Sequence, residues 1–148
     1  MSYMTDSGRS RVRKSLARIL RLAMTLPAMA FAVGAAQAAN INGVWVTNAA
    51  ACGKMAVKKG KQTVLAPDSD LYGSGFVVDG SVIRGKIATC KITSRKDDGA
   101  TIHLKGTCAT DITVTTNQLD IKMVDDNTLF RMVPGIPELD TLYYRCPP

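Results

Sequence analysis

Four cysteines, Cys52, Cys90, Cys108 and Cys146, constrain what this chain can fold into more than any other feature. Their spacings of 38, 18 and 38 contain no C-x-x-C pair, and the only histidine is His103. A zinc site needs paired ligands and a dithiol redox site needs C-x-x-C, so neither fits. An even cysteine count in a short chain reads instead as two disulfides. Spacing alone leaves all three pairings open, but strand register chooses among them. Residues 88–95 and 101–108 flank Lys96-Asp97-Asp98-Gly99-Ala100. A hairpin centred on Gly99 sets Cys90 opposite Cys108, Ile92 opposite Gly106 and Ser94 opposite Leu104. One face then gathers Cys90, Ile92, Ile102, Leu104 and Cys108. The other gathers Lys91, Thr93, Arg95, Thr101, His103, Lys105 and Thr107. That register separates apolar from polar and brings two thiols to bridging distance. It predicts a Cys90–Cys108 bridge and leaves Cys52–Cys146. The second bridge closes a loop of about 95 residues and contributes roughly 3–5 kcal/mol in the chain-entropy picture.

Disulfides imply an oxidising compartment, and the first 38 residues agree. They read as a secretory signal peptide: a basic stretch ending at Arg21, then a run from Leu22 to Ala36 of roughly 15 apolar or small residues, short of the ~20 a spanning helix needs. Ala36-Gln37-Ala38 offers small residues for cleavage after Ala38, with Ala36 as the alternative. There is no Arg-Arg pair, which favours the general secretion route. The cysteine nearest the cleavage point is Cys52, too distant for a lipid-anchored lipoprotein, and no second long apolar run follows. The expected product is a single domain, residues 39–148, periplasmic or secreted, with no transmembrane segment.

Charge then excludes a function class. The chain carries 19 basic and 12 acidic residues, a formal net charge of +7. Six of the basic groups and one acid lie in residues 1–38, leaving thirteen against eleven afterwards. A net of +2 is too small for a strongly basic nucleic-acid binder. The one basic cluster beyond the leader, Lys54, Lys58, Lys59 and Lys61, surrounds Gly60. It reads as a solvated turn whose lysines blunt an edge strand. An anionic partner is the other reading.

Beyond residue 40, turn signals recur between short alternating runs. Strands are expected at Ile41–Thr47, Thr63–Ala66, Gly75–Val78, Ser81–Arg84, the two cysteine-bearing segments, Asp111–Thr115, Gln118–Met123, Leu129–Met132 and Thr141–Cys146. Ala49–Met55 reads as a short helical turn, and Thr116-Asn117 as a turn between strands. The fold class is therefore all-β, a small antiparallel barrel of about eight strands. Closure removes exposed edges, which suits a monomer.

Gly43-Val44-Trp45 opens the first strand and Arg145 ends the last. This resembles the lipocalin or calycin pattern, a G-x-W on strand one with a basic residue near the end packing across the tryptophan. The resemblance implies an eight-stranded barrel, a fold that in many members binds a small apolar ligand inside. Thr110-Asp111-Ile112 departs from the family's T-D-Y element. The layout is also similar to small exported proteins of Gram-negative bacteria, a group that implies no activity. It is similar as well to periplasmic inhibitors of metalloproteases, which act through a free N-terminal tail. Cleavage after Ala38 leaves only Ala39-Asn40 ahead of the strand.

The residues expected to line a pocket are Trp45, Phe76, Ile92, Leu104, Ile121, Phe130 and Tyr144. An eight-stranded barrel is just wide enough to be filled by side chains or to hold one small ligand. Tyr144 shares a face of the last strand with Leu142 and Cys146, setting Tyr143 and Arg145 on the other. If that other face points outward, an Arg145–Trp45 contact needs a bend. His103 falls on the polar face beside Arg95, and nothing reads as a nucleophile, so no catalytic residue is assigned. Gly73-Ser74-Gly75 lacks the nucleophile-elbow spacing and reads as a bend. Asp97-Asp98 and Asp125-Asp126 read as turns, with neither the cleft for paired-carboxylate hydrolysis nor the spaced ligands of a calcium loop. No metal or cofactor is expected. The expected role is non-catalytic: binding a small apolar ligand, or serving as an interaction or inhibitor module of the cell envelope. Pro134–Pro137 and Tyr143 are the candidate contact surface in the second case.

Overall fold

The structure, a computed structural model, describes residues 38–148. The expected leader lies outside the described residues apart from Ala38. Ten strands follow in order: β1 Gly43–Val46, β2 Ala56–Lys59, β3 Gln62–Leu65, β4 Gly75–Asp79, β5 Val82–Arg84, β6 Thr89–Asp98, β7 Thr101–Ala109, β8 Val114–Asp125, β9 Thr128–Met132 and β10 Thr141–Arg145. A 3₁₀ turn (Ala49–Ala51) and the short helix α1 (Cys52–Met55) separate β1 from β2. Eight strands close into an antiparallel barrel in the order β1-β10-β9-β8-β7-β6-β5-β4, and β2 and β3 pair only with each other.

Alternation drives closure. Along β7, Ile102, Leu104, Gly106 and Cys108 are buried while the residues between them face outward. Each strand contributes such a row to one interior cluster around Trp45, Phe76, Ile102, Leu104, Ile121 and Leu129. A second, smaller cluster of Val46, Ala51, Met55 and Cys146 sits outside the barrel wall. Val46 and Cys146 supply its strand side, and the 3₁₀ turn and α1 cover them.

Both disulfides join elements that pairing already brings together. Cys90 and Cys108 are direct cross-strand partners with Cα atoms 3.8 Å apart. Cys52 of α1 is bonded to Cys146, just past β10, with Cα atoms 5.4 Å apart.

The β6–β7 pairing departs from the expected register halfway along. From Thr89 to Ile92 the partners are those expected, with Ile92 opposite Gly106. A bulge at Thr93 then shifts the pairing, so Ser94 meets Lys105, Arg95 meets Leu104 and Asp97 meets Ile102. Thr93 is the extra residue, and its hydroxyl donates to the Lys105 carbonyl (3.2 Å). Gly106 permits the tight passage there, since a Cβ at that position would lie 2.8 Å from the Lys91 oxygen. One added residue exchanges faces. Arg95 and Asp97 thus join the inner face, and the Gly99-Ala100 turn shortens to two residues, with Gly99 at φ +59°.

Two other expectations change. Thr116-Asn117 is not a turn. β8 runs unbroken for 12 residues because Val114–Gln118 pair with Lys105–Ala109; the turn lies at 110–113. The lysine cluster is not only a turn: Ala56–Lys59 forms β2, paired with β3.

Candidate functional site

The barrel has two unlike ends. At one, here the turn end, lie the two-residue turns β4–β5, β6–β7 and β8–β9, the start of β1 and the end of β10. At the other, the loop end, lie the longer connections β1–β4, β5–β6, β7–β8 and β9–β10.

The interior between them is packed. Trp45 and Ile121 are fully buried, Leu104 nearly so, and Phe76 is 8% exposed. Ile92 is half-buried and packs against this cluster. Two of the expected pocket residues lie elsewhere. Phe130 is 37% exposed on the outer face, because Leu129 is the β9 residue that points inward. Tyr144 also faces out, while Tyr143 is buried and meets Phe76 edge-to-face with ring centroids 5.0 Å apart. Tyr143 therefore offers no contact surface, and Arg145 shares its inward face. The Arg145–Trp45 contact forms without a bend. No buried side-chain nitrogen or oxygen among the described residues lacks a partner.

Residues 39–42 lie across the turn end. The Trp45 indole N–H donates to the Ile41 carbonyl (2.8 Å), and Ile41 is buried. The Arg145 guanidinium lies 4.3 Å from the Trp45 ring centre. It donates to the carbonyls of Asp126 (2.8 Å), Asn40 (2.6 Å) and Asn42. Burial lowers the Arg145 pKa from its ordinary value. Arg95, carried inward by the bulge, donates to the Ala39 carbonyl (2.7 Å) and holds Asp97 through both carboxylate oxygens. Asn42 accepts from the Gly80 amide (2.9 Å). Gly43 lies at φ +126°, and a Cβ there would press on the Arg145 side chain at 3.4 Å, so the glycine of G-x-W admits the arginine.

The loop end is apolar. Leu71, Ile87, Ile112, Val114, Ile136 and Leu139 are 47–94% exposed. Leu71 stands on the β1–β4 connection, Ile87 on β5–β6, Ile112 on β7–β8 with Val114 just after it at the start of β8, and Ile136 and Leu139 on β9–β10. Every connection at this end thus presents a large apolar side chain. Acids accompany them: Asp68, Asp70, Asp111, Glu138 and Asp140, against Lys86 and Lys54, whose ammonium lies 4.8 Å from the centre of the Tyr72 ring beside Leu71. Lys86 bridges Asp70 (2.7 Å) and so joins two of the connections. That hydrogen bond is the main cause holding the Asp70 carboxyl below its ordinary pKa. Asp140 accepts from the Val133 amide (2.7 Å). Asp68, Asp111 and Glu138 make no ion pair among the described residues.

On the outer wall His103 Nδ1 lies 2.9 Å from Asp120 Oδ1, and the Gln118 amide donates to both oxygens of Asp120. Asp120 is 7% exposed. The register sets Lys96, His103, Asp120 and Met132 in one cross-strand row, which supplies no nucleophile. Arg95, expected beside His103, is on the opposite face. Among the described residues no group of three or more His, Cys, Asp or Glu side chains is placed to hold a metal ion. None of their helices is long and apolar enough to cross a membrane.

Sequence reasoning missed Asp120 and the apolar ring. Splitting β8 at Thr116 hid Asp120's position opposite His103. The ring residues are mostly single apolar side chains within turn segments, where periodicity has no purchase; the readable signal was an apolar residue after aspartate or glycine in three of the four connections, at Leu71, Ile112 and Ile136.

No protein-family model matches the sequence, and no curated protein matches it. Among solved structures, the chain is similar to the crystal structure of a lipocalin-like protein from Bacteroides thetaiotaomicron VPI-5482. The identity is 20%, over 74% of this chain and 100% of that one, with a TM-score of 0.38.

Proposed function

We propose that the protein is an exported, non-catalytic binding module that takes a small apolar ligand at the loop end of its barrel. One observation carries this reading: six large apolar side chains stand exposed around one barrel end, while polar contacts across residues 39–42 hold the other. Exposed apolar groups gathered in one place mark a binding surface far more often than scattered ones do. Ile92 and Leu119, half-buried against the core, form the floor of such a site. Packing of Trp45, Phe76, Leu104 and Ile121 leaves the ligand to the upper barrel rather than its centre. The leader and the two bridges support a periplasmic or secreted location, and barrel closure supports a monomer.

Native mass spectrometry of the mature protein, purified without detergent, tests the reading. We expect an added mass on the order of a few hundred daltons, the size of a typical pocket ligand, that leaves on denaturation. An Ile87→Asp/Ile112→Asp variant should lose it. Both residues are more than four-fifths exposed, so the fold should survive. A bare wild-type mass would overturn the small-ligand reading. A protein partner would then take its place, one with basic residues to meet Asp68, Asp111 and Glu138.

A further inference from the structure

The β2–β3 hairpin pairs with no barrel strand, yet it stands beside the outer face of β1 and β4. A groove of about 510 Å³ opens there, lined by Val44, Val77, Lys58, Lys61, Thr63 and Arg145, among others. A second lobe of about 400 Å³ shares Val44, Lys58 and Thr63 and adds Ala56 and Val57. Pro147 and Pro148 line both lobes. Volumes of this order hold small-molecule ligands.

The lining is chemically lopsided. Val44 and Val77 are cross-strand partners and form an apolar floor, with Val57 extending it. Lys58 and Lys61 rise from the hairpin on the opposite side, and neither makes an ion pair among the described residues. Arg145 reaches the same groove. Its guanidinium is turned to the end of the barrel, where it donates to three backbone carbonyls beside the Asp126 carboxylate. The one acidic side chain in the lining, Asp79, is held by Arg84 at 3.4 Å. Two cations, Lys58 and Lys61, thus face an apolar floor, and the acidic side chain in the lining is already paired. No aromatic side chain lines either lobe, which removes the stacking platform that single-stranded nucleic acid requires.

We propose that this groove is a second binding site, separate from the loop end, for an amphipathic oxyanion. Its phosphate, sulfate or carboxylate group meets Lys58 and Lys61, and its alkyl portion lies along Val44, Val77 and Val57.

Decyl phosphate, inorganic phosphate and decyltrimethylammonium test the proposal, titrated into the folded disulfide-bonded protein and followed by amide chemical shifts. Decyl phosphate should move the amides of Val44, Lys58, Lys61, Thr63 and Val77. A Lys58→Glu/Lys61→Glu variant should weaken that binding by roughly tenfold or more, about 1.4 kcal/mol, and Lys58→Arg/Lys61→Arg should retain it. Trp45 fluorescence verifies that both variants are folded. Equal affinity for inorganic phosphate would overturn the apolar half of the proposal. Equal affinity for decyltrimethylammonium would overturn the anionic half. Shifts confined to Ile87, Ile112 and Leu139 would overturn the groove altogether, since the tail would then be reporting the loop end.

Discussion

Arg145 and Trp45, a hundred residues apart in sequence, meet face to face: the guanidinium lies 4.3 Å from the indole ring centre while its nitrogens hold three backbone carbonyls. This contact ties the last barrel strand to the first and to the segment across the turn end. Replacing Arg145 with Ala removes the cation–π contact and three hydrogen bonds and opens the Trp45 ring to water. The expected loss is about 2–4 kcal/mol. Lys should recover only part of it, because an ammonium cannot reach three acceptors in one plane. Denaturant unfolding followed by Trp45 emission reads both effects, and a red-shifted native spectrum in the Ala variant reports water at the ring.

The two bridges should differ in weight. Cys52–Cys146 spans 94 residues and Cys90–Cys108 spans 18. Loop-closure entropy predicts about 4.7 kcal/mol for the first and about 3.2 kcal/mol for the second. Paired Cys→Ser variants, unfolded in urea, should rank in that order. The opposite order would mean that the unfolded chain already holds its ends together.

Leu129 and Phe130 are neighbours with opposite fates. Leu129 is fully buried, so Leu129→Ala should destabilise by about 2–5 kcal/mol. Phe130→Ala, on the outer wall, should remain below about 1 kcal/mol. Near-equal losses would mean that β9 presents the other face to the core.

Asp120 should matter for stability and His103 for little beyond that. Asp120→Ala leaves His103 and Gln118 without their acceptor and should destabilise by about 1–3 kcal/mol. His103→Ala should leave ligand binding unchanged, measured on the same samples. A large loss of binding there would return His103 to the functional site.

The Lys86–Asp70 bridge gives a pH-dependent prediction. The folded Asp70 pKa is depressed below 3.8, so its contribution is present above that value and fades as pH falls through the folded pKa. Lys86→Met should raise the Asp70 titration midpoint toward 3.8, read directly by carboxyl NMR. An unchanged midpoint would show that the two side chains do not meet in solution.

Much of this architecture was legible from residue pattern. The Cys90–Cys108 register follows from alternation on two facing segments, and the glycine–aspartate turns locate most strand ends. The failures share a physical origin. A bulge at Thr93 adds one residue without altering hydrophobic content, so the pattern cannot announce that Arg95 turns inward. Tyr143 and Tyr144 are adjacent aromatic residues on a short strand, and composition does not say which one faces the core. Thr116-Asn117 carries turn chemistry but is overruled by its pairing with Gly106 and Thr107. The apolar ring at the loop end and the groove beside β2–β3 are assembled from single residues of distant segments. Only the closed sheet brings those segments together.

The position of β1 between β4 and β10 governs how the chain reaches this state. β1 can pair with β4 early, but its other edge waits for Thr141–Arg145, nearly a hundred residues later. Until then the sheet is an open strip with bare edges at β1 and β9, the arrangement most prone to pairing with another chain. Contacts so distant in sequence slow the final step. Cys146 directly follows the closing strand, so the long-range bridge and the last strand pairing bring the same two parts of the chain together. The interval most open to mispairing is therefore the one before Thr141–Arg145 take their place between β1 and β9.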